Sequence, residues 1–245
     1  MEDDVRKRIR GLGFGEDATE VLAGHFLDAE ARGRTGHGLT RVDWLSTLPG
    51  LHPEAEPKRL LAEPGYERWE GNGALGYLTL DAIVRSQLES PPARARVVVA
   101  SHCFPTGVLG YWTRQLAEAG LAAALTATSP ARLASPDGGP PLAGTNPLSI
   151  AVPSSDGRPL VADVSMGKVT HGDVLLGTAR PEDLVPFGGK QAHKAFALAV
   201  GLQGWVESFV GHDHGAVLVV ARPADDDFVA ALRERAGGLR LPGDS

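Results

Sequence analysis

Residues 96–128 read RVVVASHCFPTGVLGYWTRQLAEAGLAAALTAT, and their pattern predicts the architecture of the whole chain. The stretch opens with a continuous β-branched run at Arg96–Ala100, which is typical of a strand buried on both faces. A helical segment, Tyr111–Gly120, follows and ends at a glycine suited to a C-cap. A second apolar strand, Leu121–Thr128, completes a strand–helix–strand order. That order predicts an α/β fold.

Hydrophobic periodicity and turn-forming residues predict further elements on both sides of this stretch. Before it, we expect two helices within Asp3–Gly33 separated at Gly13–Gly15, a helix carrying Val42, Leu45 and Leu48, a loop at Pro49–Pro64, a short strand at Tyr66–Glu70 and a helix over Gly73–Glu89. After it, we expect a Gly/Pro loop at Ser135–Pro141, strands at Leu148–Pro153 and Leu160–Val164, a long buried helix at Ala192–Phe209, a strand at Ala216–Val220 and a helix at Asp226–Ala236. The acidic run Asp225–Asp227 complements the positive end of that last helix.

Composition and charge restrict the classes of function. The 245 residues are 42% hydrophobic and 22% charged, which is ordinary for a globular protein of one large domain or two lobes sharing a core. A net charge of -6 gives no general attraction to nucleic acid or anionic lipid. We see neither a signal peptide nor a membrane-spanning run, and Cys103 is the single cysteine. A reducing cytoplasm is therefore the expected compartment.

The histidine between two glycines, at Gly36–His37–Gly38, is the first candidate for chemistry. Flanking glycines let the backbone approach a ligand closely. Histidine titrates near neutrality and can give a proton to a developing alkoxide or amine. Arg41, one helical turn further on, offers a planar fork to a carboxylate. Together they suit a substrate with a carboxylate beside a reducible carbon, whereas a histidine in a glycine turn, taken alone, is more often structural.

Three other patterns favour structural interpretations. Gly71–Gly76 fits G-x-G-x-x-G, but Arg94 and Arg96 occupy the region where a dinucleotide site needs an acidic residue. A helix-capping turn is therefore the better interpretation. His212–Asp213–His214 could bind a metal, but no third ligand lies nearby and a solvent-exposed turn is favoured. We expect no resident metal, and we expect Cys103 to be a small buried hydrophobe.

Several motifs in collinear order carry a resemblance to a known family. They are AEARGRTGHGLTRV at 29–42, Gly71–Gly76, Gly107–Trp112 with Ala117–Gly120, Gly144–Pro153 (GTNPLSIAVP), Asp163, Pro186–Gly189 with His193–Leu198, and Leu241–Asp244. In this order they resemble the type-2 malate/L-lactate dehydrogenases, and Gly144–Pro153 is the most specific match. The resemblance implies the non-Rossmann, sulfolactate dehydrogenase-like fold, an α/β fold with a mixed sheet. It also implies reduction of 2-oxo acids, diketo sugar acids or cyclic imino acids such as piperideine-2-carboxylate by NADH or NADPH, in homodimers whose active site lies near the subunit contact.

The resemblance also assigns roles to individual residues. His37 would donate the proton, and Asp163 would orient the imidazole or tune its charge. Arg41 and Thr145 would bind the substrate. The expected cofactor-binding residues are Asn146, Ser165, Gly167, Lys168, Gly188 and Lys194. We expect one compact α/β unit over residues 1–245, in which 1–90 form a mostly helical lobe and 91–245 carry the sheet and the cofactor region.

The chain also departs from the family pattern. Gly36 stands where the family usually has serine, Ala195 replaces a glycine, and Pro105 occupies the place of a family histidine, with His102 lying too early. The chain is shorter than usual members, chiefly within 173–186 and before its C-terminus. Our first hypothesis is a cytoplasmic NAD(P)H-dependent reductase acting on a small carboxylate-bearing cyclic imine or 2-oxo acid. The alternative is a non-redox descendant that binds a small acid or performs acid/base catalysis such as cyclisation or isomerisation.

Overall fold

A seven-stranded sheet forms the centre of the molecule. The computed structural model describes residues 2–224 and 227–244. The sheet contains β1 (Lys58–Glu63), β2 (Tyr66–Glu70), β3 (Ala95–Ser101), β4 (Ala122–Ala127), β7 (Leu148–Val152), β8 (Leu160–Val164) and β9 (Ala216–Ala221), and a separate hairpin contains β5 (Leu133–Ser135) and β6 (Gly138–Ala143). The strand order is β1-β2-β3-β9-β4-β7-β8, in which the β2–β3 pair is parallel and the other pairs are antiparallel. The predicted non-Rossmann α/β fold with a mixed sheet is confirmed.

Helices cover both faces of this sheet. They are α1 (Glu2–Gly11), α2 (Glu16–Ala31), α3 (Thr40–Leu45), α4 (Gly76–Glu89), α5 (Leu109–Glu118), α6 (His171–Leu175), α7 (Ala192–Val210) and α8 (Phe228–Ala236), with short 3-10 turns at Thr35–His37, Pro181–Asp183 and Gly189–Gln191. Val98 of β3 packs in the main core with α1, α2, α4 and α5. Its neighbour Val99 packs with Val206 of α7 on the opposite face, because successive strand residues point to opposite sides. The β-branched run of β3 is thus buried on both faces, as predicted.

Most of the predicted elements are confirmed within about three residues, as expected for boundaries drawn from sequence. α4 begins at Gly76 instead of Gly73, which has a positive φ of 87° in the preceding turn. The last helix begins at Phe228, and Asp225 and Asp226 lie outside the described residues. Within the described ranges, no helix is long and apolar enough to cross a bilayer.

Three predictions about individual segments are wrong in part. The loop predicted at Pro49–Pro64 contains β1, an edge strand whose residues are all exposed, so it lacks the alternation that identifies a half-buried strand. The loop predicted at Ser135–Pro141 belongs to the β5–β6 hairpin, where prolines are tolerated on an edge. The predicted helix at Ala192–Phe209 is confirmed as α7 but is not buried, because Leu198 is 51% exposed and Trp205 is 40% exposed.

A buried histidine links three helices beside the sheet. His25 of α2 is fully buried and lies 4.9 Å, ring centroid to ring centroid, from both Tyr77 of α4 and Tyr111 of α5. Its Nε2 accepts a hydrogen bond of 3.0 Å from the backbone N–H of Val108, immediately before α5. Burial lowers the pKa of His25 from its ordinary 6.5 to about 3. The ring is therefore a neutral acceptor that fixes the start of α5.

We predict that this histidine makes the fold sensitive to acid. The pKa of His25 is lower in the folded protein than in the unfolded chain, so the stability it contributes is present above about pH 6.5 and is lost as the pH falls toward 3. His25→Gln keeps an acceptor for Val108 but does not titrate. Urea unfolding between about pH 7 and pH 4 should show a smaller loss of unfolding free energy in this variant than in the wild type.

The control is His52→Gln, which changes an exposed histidine and should lose stability with falling pH as the wild type does. An equal loss in His25→Gln and the wild type would contradict the assignment.

Candidate active site

A cavity of about 280 Å³ lies between the 3-10 turn Thr35–His37, the start of α5, the end of β8 and the start of α6. Residues from distant parts of the sequence line it. Among them are His37, Arg41, Thr145, Asp163 and Ser165, all of which were predicted to bind substrate or cofactor or to act in catalysis. The structure therefore brings half of the predicted site residues together on one cavity.

His37 lies at the end of its 3-10 turn with its imidazole on the cavity wall. Its Nδ1 is buried and has no hydrogen-bond partner within the described residues. Burial, followed by the charges of Arg41, His25 and Arg34, lowers the pKa of His37 from 6.5 to about 3. In the absence of a ligand the imidazole is therefore neutral, with one nitrogen ready to bond a bound group.

Arg41 supplies a buried positive charge to the same wall. Its Nε donates a hydrogen bond of 2.9 Å to the carbonyl oxygen of Gly36, and its guanidinium carbon lies 4.6 Å from the ring centroid of Trp44. Burial is the main reason that its pKa is lowered, although arginine stays protonated at neutral pH. No ion pair involves Arg41 in the part of the chain that the structure describes. The arrangement leaves its terminal amino groups suited to a carboxylate.

Asp163, at the end of β8, also lines the cavity, but its hydrogen bond is directed elsewhere. Its carboxylate accepts a hydrogen bond of 2.8 Å from the backbone N–H of Gly110, in the first turn of α5. Burial raises the pKa of Asp163, while this hydrogen bond and the charges of Arg34 and Arg114 lower it. No hydrogen bond joins it to His37 within the described ranges. The proposed orienting role of Asp163 stays a prediction.

A close backbone contact explains why glycine stands at position 36. A Cβ on Gly36 would lie 2.8 Å from the Asp173 carboxylate and 3.1 Å from the carbonyl carbon of Gly172. A Cβ on Gly172 would overlap the Gly36 carbonyl oxygen and lie 2.8 Å from Nη2 of Arg41. Two glycines thus allow α6 to pack directly on the turn that carries His37. The hydroxyl that serine would supply at this position is replaced by a contact with α6.

Several predicted cofactor residues lie outside this cavity. Asn146 is fully buried. Its Nδ2 donates hydrogen bonds to the Ala199 carbonyl at 2.9 Å and to the Gln203 side chain at 2.8 Å, so it joins the segment before β7 to α7. Lys168 forms an exposed ion pair of 3.0 Å with Asp183. The remaining three, Gly167, Gly188 and Lys194, do not line the cavity, and Lys194 is exposed on α7.

The structure adds cavity residues that the sequence analysis did not identify. They are chiefly Arg34, Tyr77, Ser129, Arg132 and His171. Burial, with the charges of Arg132 and Arg41, lowers the pKa of His171 to about 4. The signal that could have found His171 is the capping box Thr170-x-x-Asp173, which predicts a helix start at that residue. No pattern in the sequence indicates that Arg132, 39 residues before α6 begins at His171, lines the same cavity.

The remaining motifs have structural roles. Gly71–Gly76 forms the turn before α4, and Cys103 is fully buried with a pKa raised to about 12 by burial. The turn 212–214 follows α7, where Asp213 accepts a 3.0 Å contact from Nε2 of His102. Among residues 2–224 and 227–244 no three histidine, cysteine or acidic side chains are grouped as metal ligands would be.

We predict that the contact between α6 and the turn tolerates no side chain at position 172. Gly172→Ala should lower the unfolding free energy by about 1–3 kcal/mol, because its methyl group would displace the Gly36 carbonyl that holds Arg41. Urea unfolding measures this. Gly11→Ala, at the end of α1 with no atom within 4 Å, is the control and should be neutral or slightly stabilising. Equal stability of the two variants would refute the packing argument.

Comparison with known proteins gives a consistent result. A family model described as malate/L-lactate dehydrogenase matches residues 1–190. The chain is 33% identical over 180 residues to (2R)-3-sulfolactate dehydrogenase (NADP(+)) of Chromohalobacter salexigens, a match that covers 69% of this chain and 51% of that protein. It is 27% identical over 244 residues to Delta(1)-pyrroline-2-carboxylate/Delta(1)-piperideine-2-carboxylate reductase of Pseudomonas aeruginosa, covering 94% of this chain and 73% of that protein.

The fold is shared with solved structures as well. The crystal structure of delta1-piperideine-2-carboxylate reductase from Pseudomonas syringae pvar. tomato superposes with a TM-score of 0.82 at 21% identity, over 99% of this chain and 89% of that one. The region matched to the sulfolactate dehydrogenase spans about half of that protein's length. The family model nevertheless matches well over half of this chain. From its sequence and its fold, this chain belongs to the malate/L-lactate dehydrogenase family.

Proposed function

We propose that this protein is an NAD(P)H-dependent reductase that acts on a small carboxylate-bearing substrate with a C=O or C=N bond. The observation that carries the proposal is the pairing of His37 with Arg41 on one cavity wall. A proton-transferring imidazole and an unpaired buried guanidinium are the groups that such a substrate requires. The proposal is supported by relatives named as an NADP(+)-dependent sulfolactate dehydrogenase and as reductases of pyrroline- and piperideine-2-carboxylate.

The cavity has features that fit the reacting end of a nicotinamide cofactor. Two buried polar atoms on its wall, Nδ1 of His37 and Oγ of Ser129, have no partner within the described residues. Phe104, Val108 and Leu109 also line the cavity and supply apolar surface for a flat ring. A volume of about 280 Å³ lies just below the usual range for ligand pockets, so the cavity suits a ring and a small acid. Arg34, exposed at the rim, is the residue that would meet a cofactor phosphate.

The chain's own residues would bind the substrate and move a proton. A bound nicotinamide supplies hydride to the electrophilic carbon. Arg41 binds the substrate carboxylate, whose negative charge offsets one of the positive charges that lower the pKa of His37. Burial is the largest cause of the low pKa of His37 and the charge of Arg41 is the second, so a carboxylate at Arg41 raises this pKa by offsetting the second cause. His37 then takes up a proton and gives it to the nascent oxygen or nitrogen, an effect typically worth about 10²–10⁴-fold.

We predict that His37→Asn removes turnover without removing binding. The rate of NAD(P)H oxidation, measured with a panel of 2-oxo acids and cyclic imine 2-carboxylates, should fall by about 10²–10⁴-fold, because asparagine cannot transfer the proton. Cofactor fluorescence should report unchanged NAD(P)H binding. His52→Asn, at an exposed position outside the cavity, should keep full activity. Full turnover by His37→Asn would refute the proton-donor role.

One observation favours a second candidate function. Asn146, Lys168, Gly188 and Lys194, which the family resemblance assigned to the cofactor, do not line the cavity. A non-redox descendant that binds a small acid, or uses His37 as an acid/base in cyclisation or isomerisation, would not need them there. Fluorescence titration with NADH and NADPH separates the two functions. Saturable binding supports the reductase, and no binding at about 1 mM cofactor supports the non-redox protein.

We also propose that the protein is a cytoplasmic homodimer. The single cysteine, Cys103, agrees with a reducing compartment. On α7, an apolar stripe formed by Leu198, Leu202, Trp205 and Phe209 follows helical spacing, and three of its four members are at least 40% exposed. Exposed apolar stripes of this kind mark interaction surfaces, and twofold contact between identical copies is the commonest form of oligomer.

We predict that charge on this stripe separates the subunits. Light scattering after gel filtration should give a dimer for the wild type and a monomer for Leu198→Asp/Trp205→Asp, because two desolvated carboxylates would oppose the association. Leu239→Asp, on a residue 75% exposed near the C-terminus, is the matched control and should remain dimeric. A monomeric wild type would contradict the proposal.

A further inference from the structure

The cavity contains a second positive charge that the proposed mechanism does not use. Arg132 lies just before β5, and its backbone N–H bonds to the Ala143 carbonyl at 2.9 Å. Its side chain lines the cavity and is half-buried. It has neither an ion pair nor a side-chain hydrogen bond within the described residues. A guanidinium that lines a cavity without a partner from the protein is available to bind an anionic ligand.

Arg132 and Arg41 repel each other across the cavity. The charge of Arg132 is among the causes that lower the pKa of Arg41, and both charges lower the pKa of His171. The fold thus holds two like charges close enough to interact. One carboxylate bound to Arg41 would leave the second charge uncompensated.

Among the described residues, the acidic groups of the cavity leave Arg132 without a partner, although the negative charge of Asp173 raises the pKa of Arg41 and so offsets part of its positive charge. Asp163 accepts the backbone N–H of Gly110, and Asp173 accepts the backbone N–H and the hydroxyl of Thr170 in the capping box of α6. Neither carboxylate forms an ion pair with Arg132 or Arg41 in the described ranges. Because Arg132 keeps an unpaired charge on the cavity that Arg41 also lines, this cavity favours an anion with more than one charge.

His171 adds a neutral hydrogen-bonding group to the cavity that Arg132 lines. It is half-buried, and its pKa of about 4 keeps the ring uncharged near neutral pH. A neutral imidazole can donate one N–H to an anionic oxygen without adding further positive charge.

We propose that Arg132, assisted by His171, binds a second acidic group of the substrate, so that the substrate is a dianion whose first carboxylate is held by Arg41. This inference rests on the role of Arg41 in the proposed function. Anionic oxygens of a carboxylate or a sulfonate at the far end of the substrate have the required chemistry. A cofactor phosphate has the same chemistry, and the experiment separates the two sources.

The test compares matched acids that differ by one charge, in the absence of cofactor so that no turnover occurs. Calorimetric titrations use oxaloacetate against 2-oxobutyrate and 2-oxoglutarate against 2-oxovalerate, two pairs of equal carbon number. In at least one pair, the wild type should bind the dianion roughly 10- to 100-fold more tightly, as expected for a charge-assisted hydrogen bond.

Substitutions test whether Arg132 is responsible for the preference for dianions. Arg132→Gln should reduce dianion binding to the level of the monoanion, and Arg132→Lys should restore part of the difference. Arg41→Gln should weaken both members of a pair. Arg94→Gln, which removes an exposed arginine outside the cavity, should change nothing. Thermal unfolding of each variant checks that the fold is kept.

The outcomes separate this inference from the proposed function. Equal affinities of the wild type for both members of both pairs would overturn the dianion assignment. An Arg132→Gln variant that loses NADPH affinity but keeps the wild-type preference for dianions would overturn it in favour of a cofactor phosphate. A preference for dianions that is lost in Arg132→Gln supports the inference, even if NADH and NADPH do not bind and the redox proposal fails.

Discussion

The buried guanidinium of Arg41 is the constraint on which the whole site depends. It is held from two sides, by the Gly36 carbonyl oxygen and by the ring of Trp44, yet it has no ion-pair partner within the described residues. A charge removed from water in this way is unfavourable unless it is compensated. The positive charge of Arg41 instead acts on the titratable groups that line the same cavity. The lowered pKa values of His37 and His171 are consequences of that charge added to their burial.

In the proposed function, this electrostatic arrangement would couple substrate binding to proton transfer. A neutral imidazole is a weak acid, so in the proposed function His37 would have to be protonated before it donates a proton. A carboxylate bound at Arg41 would favour that protonation by offsetting the charge of Arg41. His25 contributes to the position of the cavity wall, because it accepts a hydrogen bond from the backbone N–H of Val108 and so fixes the start of α5.

The sequence predicted the fold well wherever burial imposes a repeating pattern. The runs that became β3, β4 and β9 are apolar because helices cover both sheet faces, and their periodicity is readable. The prediction failed where tertiary contacts, and not a repeating sequence pattern, determine the structure. β1 is an exposed edge strand held by one neighbour, and α7 has an apolar composition without being buried in the single chain.

The same distinction applies to the candidate site. His37 and Arg41 are four residues apart, so their common location could be read from local spacing. Asp163 was reached only through the family resemblance, and its hydrogen bond to Gly110 could not be read from spacing. Arg132 and His171 belong to segments that meet only in the folded chain, and no local rule brings them together.

The contact between Gly36 and Gly172 connects α6 with the chemistry of the site. Because neither position has a side chain, α6 reaches the turn that carries His37 and brings His171 to the cavity wall. A serine at position 36 would need the space that the Asp173 carboxylate occupies. The two glycines, the packing of α6 on the turn and the location of His171 on the cavity wall therefore depend on one another.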